Sequence, residues 1–174
     1  PVAEEIRTRL GRNVYAENDT LLEDAVVQAL IEKNLTVATA ESCTGGWVAQ
    51  RITAVSGSSA IFQTGIVAYA NETKVHLLGI PQALVASVGA VSPEVARAMA
   101  ERIREKTGAH FGIGVTGIAG PGGGTPEKPV GLVYVSLATP EGTQVEKCLF
   151  AGSRADVRYR STQTALRLLW EALG

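Results

Sequence analysis

Three short runs of β-branched and small apolar residues constrain this chain most: Leu35 to Ala40, Ile61 to Tyr69 and Phe111 to Thr116. Each breaks off into turn-forming residues, and helical patterns separate them, so they read as buried strands of a parallel α/β core. The helices have their own signals. Thr20-Leu-Leu-Glu23 reads as a capping box, and apolar residues at 25, 26, 29 and 30 predict a helix over about 21–33. Further helices are expected at about 45–55, 71–78 and 93–106, the last opened by Ser92 as N-cap and Pro93 at the first helical position. Val130 to Ala138 and Thr143 to Phe150 face each other across Pro140-Glu-Gly142, which predicts an antiparallel hairpin closing a mixed sheet. Arg154 to Leu173 reads as a final helix packed on that sheet.

With 174 residues, 45% of them hydrophobic, the chain fits one domain that buries roughly two-thirds or more of its unfolded surface. Sixteen basic against 17 acidic residues leave no basic field to draw in a nucleic-acid backbone, which argues against DNA binding as the main activity. The two cysteines, Cys43 and Cys148, have neither disulfide-framework nor zinc spacing, as expected of a protein from a reducing cytoplasm. No run approaches the roughly 20 apolar residues of a membrane span, and Glu4, Glu5, Arg7 and Arg9 occupy the place of a signal-peptide core. Nothing in the pattern calls for a metal or other cofactor.

Ligands of open α/β sheets sit beyond the carboxyl ends of the parallel strands. Three rich segments follow those ends: Glu41-Ser42-Cys43-Thr44-Gly45-Gly46, Tyr69-Ala-Asn71-Glu72-Thr73-Lys74, and Thr116-Gly117 through Gly120-Pro121-Gly122 to Gly124. Together they offer a nucleophile, a base and a backbone-rich anion pocket, the parts needed to attack a carbonyl. Ser42 is the leading nucleophile and also a plausible N-cap for the next helix. Its base would be Lys74, provided that burial lowers the amine pKa. Cys43 is the rival, with His76 as its nearest partner in sequence, whereas His110 precedes the third strand and belongs at the opposite sheet edge. The glycine loop lacks Gly-Lys-Ser/Thr and so is no Walker A site, but its N–H groups would suit an anion, with Arg154 and Arg158 adding charge.

Ala40-Glu-Ser-Cys-Thr-Gly-Gly46, Gly65 to Gly79 (GIVAYANETKVHLLG) and Gly114 to Gly122 (GVTGIAGPG) together resemble the CinA C-terminal family, the bacterial nicotinamide-mononucleotide deamidases, over about residues 20–173. The resemblance implies a three-layer α/β/α sandwich on a mixed five-stranded sheet. It also implies hydrolysis of the carboxamide of nicotinamide mononucleotide to the nicotinate nucleotide and ammonia, in pyridine-nucleotide salvage, by a serine and lysine pair. That pair maps onto Ser42 and Lys74, with Tyr69 and Thr116 beside them and Arg154 or Arg158 as the arginine of the last helix.

The site expected from the residues and the resemblance takes in Ser42, Lys74 and Tyr69 as catalytic groups. Glu41, Thr44, Gly45, Gly46, Thr116, Gly117, Gly120, Gly122, Arg154 and Arg158 are its substrate contacts. Backbone N–H groups from Thr44 to Gly46 would hold the oxyanion. In many members the domain follows a molybdopterin-binding-like domain, and Pro1 with a connecting segment over 1–19 suggests such a C-terminal piece. The alternative reading is a non-catalytic module that binds a nucleotide and regulates an attached domain. A homodimer through an exposed apolar helix face is a further expectation.

Overall fold

The computed structural model describes residues 2–11, 14–16 and 18–174. Twelve main elements follow one another among these residues. They are α1 (Val2–Leu10), α2 (Leu22–Lys33), β1 (Val37–Glu41), α3 (Trp47–Thr53), β2 (Phe62–Val67), α4 (Asn71–Leu78), α5 (Gln82–Val88), α6 (Pro93–Thr107), β3 (Phe111–Gly117), β4 (Leu132–Thr139), β5 (Gly142–Leu149) and α7 (Arg154–Ala172). A short 3₁₀ turn covers Ser58–Ala60.

The five strands form one sheet in the order β2-β1-β3-β4-β5. β1 pairs in parallel with β2 and β3, while β3–β4 and β4–β5 are antiparallel, so the expected mixed α/β sandwich is the observed fold. Side chains alternate across the strands and divide the core in two. Val37, the β3 and β4 residues Ile113, Val115, Val133 and Val135, and apolar residues of α2, α3 and α7 make one cluster. On the other face Ala38 and Ala40 pack with residues of α4, α5 and α6. That second face is lined by small residues for a reason. A Cβ at Gly112 would lie 2.1 Å from the Ala100 carbonyl oxygen, and one at Gly114 2.6 Å from that of Ala96, so the glycines let α6 lie directly on β3.

Ser92 caps α6, its hydroxyl accepting from the Val95 N–H at 3.3 Å, with Pro93 at the first position as its sequence predicts. α2 differs from expectation by one step. Its N-cap is Leu21, whose N–H donates to the Asp24 carboxylate at 3.1 Å, while the Thr20 hydroxyl turns back to Asn18. Glu23 is thereby released to make a two-pronged pair with buried Arg51, at 3.1 and 2.6 Å. β2 is also not a buried strand. It is a sheet edge, and Gln63, Thr64 and Val67 are exposed. The connecting segment includes helix α1, all of whose residues are exposed; residues 1, 12, 13 and 17 of that segment lie outside the described residues. No helix among the described residues is long and apolar enough to cross a membrane.

Candidate active site

The parallel pairing of β1, β2 and β3 brings their carboxyl ends to one edge, as the topology requires. The alternation of β1 continues into the turn beyond it. Glu41 lies 1% exposed against α3, Ser42 follows toward α4, and Cys43 drops into the α2/α7 cluster. Neighbours in sequence are thus separated by the sheet. Burial pushes the Cys43 thiol up to about 12, with the Glu41 carboxylate adding to the effect, which disfavours the thiolate a cysteine nucleophile would need. His76 is exposed on α4.

Lys74 enters from the first turns of α4 and is 1% exposed, the largest fully buried side chain among the described residues. Its Nζ has three neighbours: Ser42 Oγ at 3.1 Å, the Ala68 carbonyl oxygen at 2.8 Å and the Tyr69 carbonyl oxygen at 3.2 Å. Burial lowers its pKa from the ordinary lysine value. Carbonyl oxygens only accept, and a neutral amine has two N–H bonds and one lone pair. A charged Lys74 donates to all three neighbours, whereas a neutral one would give its two N–H bonds to the carbonyls and keep its lone pair for the Ser42 hydroxyl proton. The Ala68 N–H in turn donates to the Glu41 carbonyl oxygen at 2.8 Å, so the segment that orients Lys74 is bonded to the strand that presents Ser42.

The remaining expected residues are distributed unevenly. Glu41 is occupied with α3: its carboxylate accepts the N–H groups of Gly46 at 3.1 Å, Val48 at 3.0 Å and Ala49 at 2.8 Å. Those are the donors a helix leaves unpaired at its start, and the Gly46 N-cap has no side chain to meet them. Of the three N–H groups expected to hold an oxyanion, that of Gly46 therefore goes to Glu41 and that of Gly45 to the Ser42 carbonyl oxygen at 3.0 Å. The N–H groups of Cys43 and Thr44 lie near the Cys43 sulfur, where they favour its thiolate slightly. The Thr44 side chain is fully buried and its hydroxyl has no hydrogen-bond partner among the described residues.

Thr116 is 1% exposed and donates to the Ala90 carbonyl oxygen at 2.8 Å, tying down the loop before α6. Gly117 ends β3, Gly120 is buried and Gly122 exposed in the loop that follows. The two arginines of α7 have separate partners. Arg154 bridges the glycine loop and Tyr69, donating to the Gly120 carbonyl oxygen and the Tyr69 hydroxyl at 2.8 Å each. Arg158 turns inward to the serine turn, donating to the carbonyl oxygens of Cys43 at 3.1 Å and Thr44 at 2.8 Å, with its guanidinium 5.2 Å from the centroid of the Trp47 ring. Trp47 and the carbonyls of Ala68 and Ala90 were not foreseen; the carbonyls leave no trace in side-chain identity. His110 lies at the far edge as expected, its Nδ1 accepting from the Thr36 N–H at 3.1 Å. No cluster of three metal-ligating side chains occurs among the described residues.

Residues 19–173 match the family model of the CinA C-terminal domain. The chain belongs to that family. A CinA-like protein from Geobacter sulfurreducens is 52% identical over 161 residues, which are 92% of this chain and 39% of the relative. One from Gemmatimonas aurantiaca is 47% identical over 169 residues, 97% of this chain and 40% of the relative. The chain thus spans about two-fifths of the length of these curated relatives. Among solved structures, the competence/damage inducible protein CihA from Agrobacterium tumefaciens superposes with a TM-score of 0.82 at 36% identity, covering 91% of this chain and 99% of that one. A competence-damaged protein (CinA) superfamily protein from Escherichia coli gives 0.83 at 31% identity, covering 93% and 98%.

Proposed function

We propose that this CinA C-terminal domain is a serine amidohydrolase that converts nicotinamide mononucleotide to the nicotinate nucleotide and ammonia. The observation that carries the reading is the buried Lys74 amine, 3.1 Å from Ser42 Oγ and held by two carbonyl acceptors. A structural lysine gains little from burial without a carboxylate partner, whereas a general base needs a depressed pKa and a lone pair aimed at its nucleophile.

In the reaction the Ser42 oxygen bonds to the carboxamide carbon as its proton passes to Lys74. The carbonyl oxygen becomes an oxyanion, and the Cys43 and Thr44 N–H groups are the proposed donors to it, since those of Gly45 and Gly46 are taken by the Ser42 carbonyl and Glu41. Lys74 returns the proton to the amide nitrogen, the C–N bond breaks and ammonia departs. Water then attacks the Ser42 ester, giving one proton to Lys74, which passes it back to Ser42 Oγ as the nicotinate product leaves. Arg154 and the glycine loop are the proposed phosphate contacts. Among the described residues Arg154 meets the Gly120 carbonyl oxygen and the Tyr69 hydroxyl at the open edge and no carboxylate, while Arg158 is committed to the serine turn.

Incubation of the purified domain with nicotinamide mononucleotide, with coupled detection of ammonia, tests the proposal. Stoichiometric ammonia and nicotinate nucleotide support it. Saturable binding without either product would instead favour a regulatory nucleotide-binding module within a longer protein.

A further inference from the structure

Backbone hydrogen bonds fix the serine turn at its ends, Ser42 N–H to the Val115 carbonyl oxygen at 2.9 Å, Gly45 N–H to that of Ser42 at 3.0 Å and Trp47 N–H to that of Thr44 at 3.3 Å, and leave its middle to side chains. Residues 42–46 belong to neither strand nor helix, and Gly45 and Gly46 have φ of 62° and 91°. Two charges of opposite sign, buried Glu41 and half-buried Arg158, hold it from two sides. Glu41 takes N–H groups, those of Gly46, Val48 and Ala49; Arg158 takes carbonyl groups, those of Cys43 and Thr44.

We propose that Arg158 and Glu41 form a clamp that aims the oxyanion donors, and that Arg158 is a positioning residue for catalysis, not a substrate ligand. In a trans peptide the C=O and the following N–H point in opposite directions. Drawing the Cys43 carbonyl to the Arg158 Nε therefore turns the Thr44 N–H away from the guanidinium. The Ser42 carbonyl is held by the Gly45 N–H at 3.0 Å, and it directs the Cys43 N–H by the same rule. The Cys43 and Thr44 N–H groups are thus oriented by anchors on their own peptide planes. A planar fork that spans two successive carbonyls is particular to arginine, since an ammonium is a single point. The cation–π contact with Trp47, the first residue of α3, restrains that fork, and a Cβ on Gly45 would lie 3.4 Å from the guanidinium.

The proposal rests on Ser42 as nucleophile and is tested with and without the pyridine substrate. Wild type, Arg158→Ala, Arg158→Lys and Glu41→Gln are treated with a fluorophosphonate reagent, which labels an activated serine and needs the oxyanion donors but no nucleotide. The rate of Ser42 modification is read by mass spectrometry, with a melting curve for each variant. Turnover is measured on nicotinamide mononucleotide and on the riboside that lacks the phosphate. Loss of one oxyanion donor lowers kcat about 100-fold or more. Arg158→Ala is expected to slow labelling and kcat by about that factor, equally on both substrates and with KM little changed. Arg158→Lys recovers part of the loss and guards against an alanine variant that does not fold. Normal labelling in Arg158→Ala, with a defect confined to the phosphorylated substrate, would overturn the clamp in favour of phosphate binding. A wild type that is labelled at Ser42 but releases no ammonia removes the substrate assignment and leaves the clamp supported by the labelling rates; a wild type that is not labelled overturns both.

Discussion

Replacing Lys74 by Met removes the amine while keeping an unbranched apolar stem in a site that is 1% exposed. Two effects on stability oppose each other. The Ala68 and Tyr69 carbonyl oxygens lose their donor, at a cost of about 1–3 kcal/mol each if water does not replace it. Against this, the variant no longer has to neutralise a lysine on folding. Burial lowers the Lys74 pKa in the native state, whereas the unfolded chain retains an ordinary value of about 10.4. Between those two pKa values the unfolded state binds the proton and the native state does not, so the stability of the wild type rises with pH relative to the variant. Below the native pKa both states are protonated, and the burial penalty is present in full; above about 10.4 it has vanished. The difference in unfolding free energy between wild type and Lys74→Met is therefore expected to grow with pH, by about 1.4 kcal/mol for each unit of depression. Urea melts of both proteins at a series of pH values from 6 to 10.5 measure it. A difference that stays flat across that range would mean that Lys74 titrates as an exposed lysine does, and the neutral base in the proposed mechanism would be lost. Turnover by Lys74→Met is expected to fall at least about 100-fold, the lower end of what a general base contributes.

Cys43→Ala should keep most of the activity, because the thiol is buried on the α2/α7 face and its pKa is pushed up to about 12; initial rates of ammonia release check this. Arg154→Ala should raise KM for the nucleotide about 10- to 100-fold, the equivalent of one charged hydrogen bond, and leave KM for the riboside unchanged in the same assay. Gly112→Ala should lower the thermal midpoint by several degrees or prevent folding, since its Cβ would meet the Ala100 carbonyl oxygen at 2.1 Å and the backbone of α6 cannot yield as a side chain can.

The parts of the fold that sequence reveals are those whose signals are local. Ser92 with Pro93 marks the start of α6 to the residue, and the tract from Asn71 to Leu78 is a helix as read. The hairpin is legible from two alternating runs across a glycine turn. α5 was missed because Gln82–Val88 follows Pro81 with too few polar residues to show a helical stripe. The edge position of β2 depends on strand order, which a run of β-branched residues does not encode. Ser42 and Lys74 were recognisable because both follow strand ends. The roles of Glu41 and Arg158 were not, for different reasons. Glu41 had a signal: the helix after it begins at Gly46 with no capping side chain, so its N–H groups needed an acceptor from elsewhere. Arg158 had none, since its partners lie 114 and 115 residues away and are carbonyl groups that every residue carries.

The identity of the nucleophile is the claim on which the mechanism depends most. Ammonia release from nicotinamide mononucleotide by Ser42→Ala, measured beside wild type and Cys43→Ala at matched folding, tests it directly. The expected result is loss of at least about 1000-fold in Ser42→Ala and near-normal turnover in Cys43→Ala, as an unreplaced nucleophile leaves only binding and oxyanion stabilisation. Turnover within tenfold of wild type in Ser42→Ala would contradict the serine–lysine account.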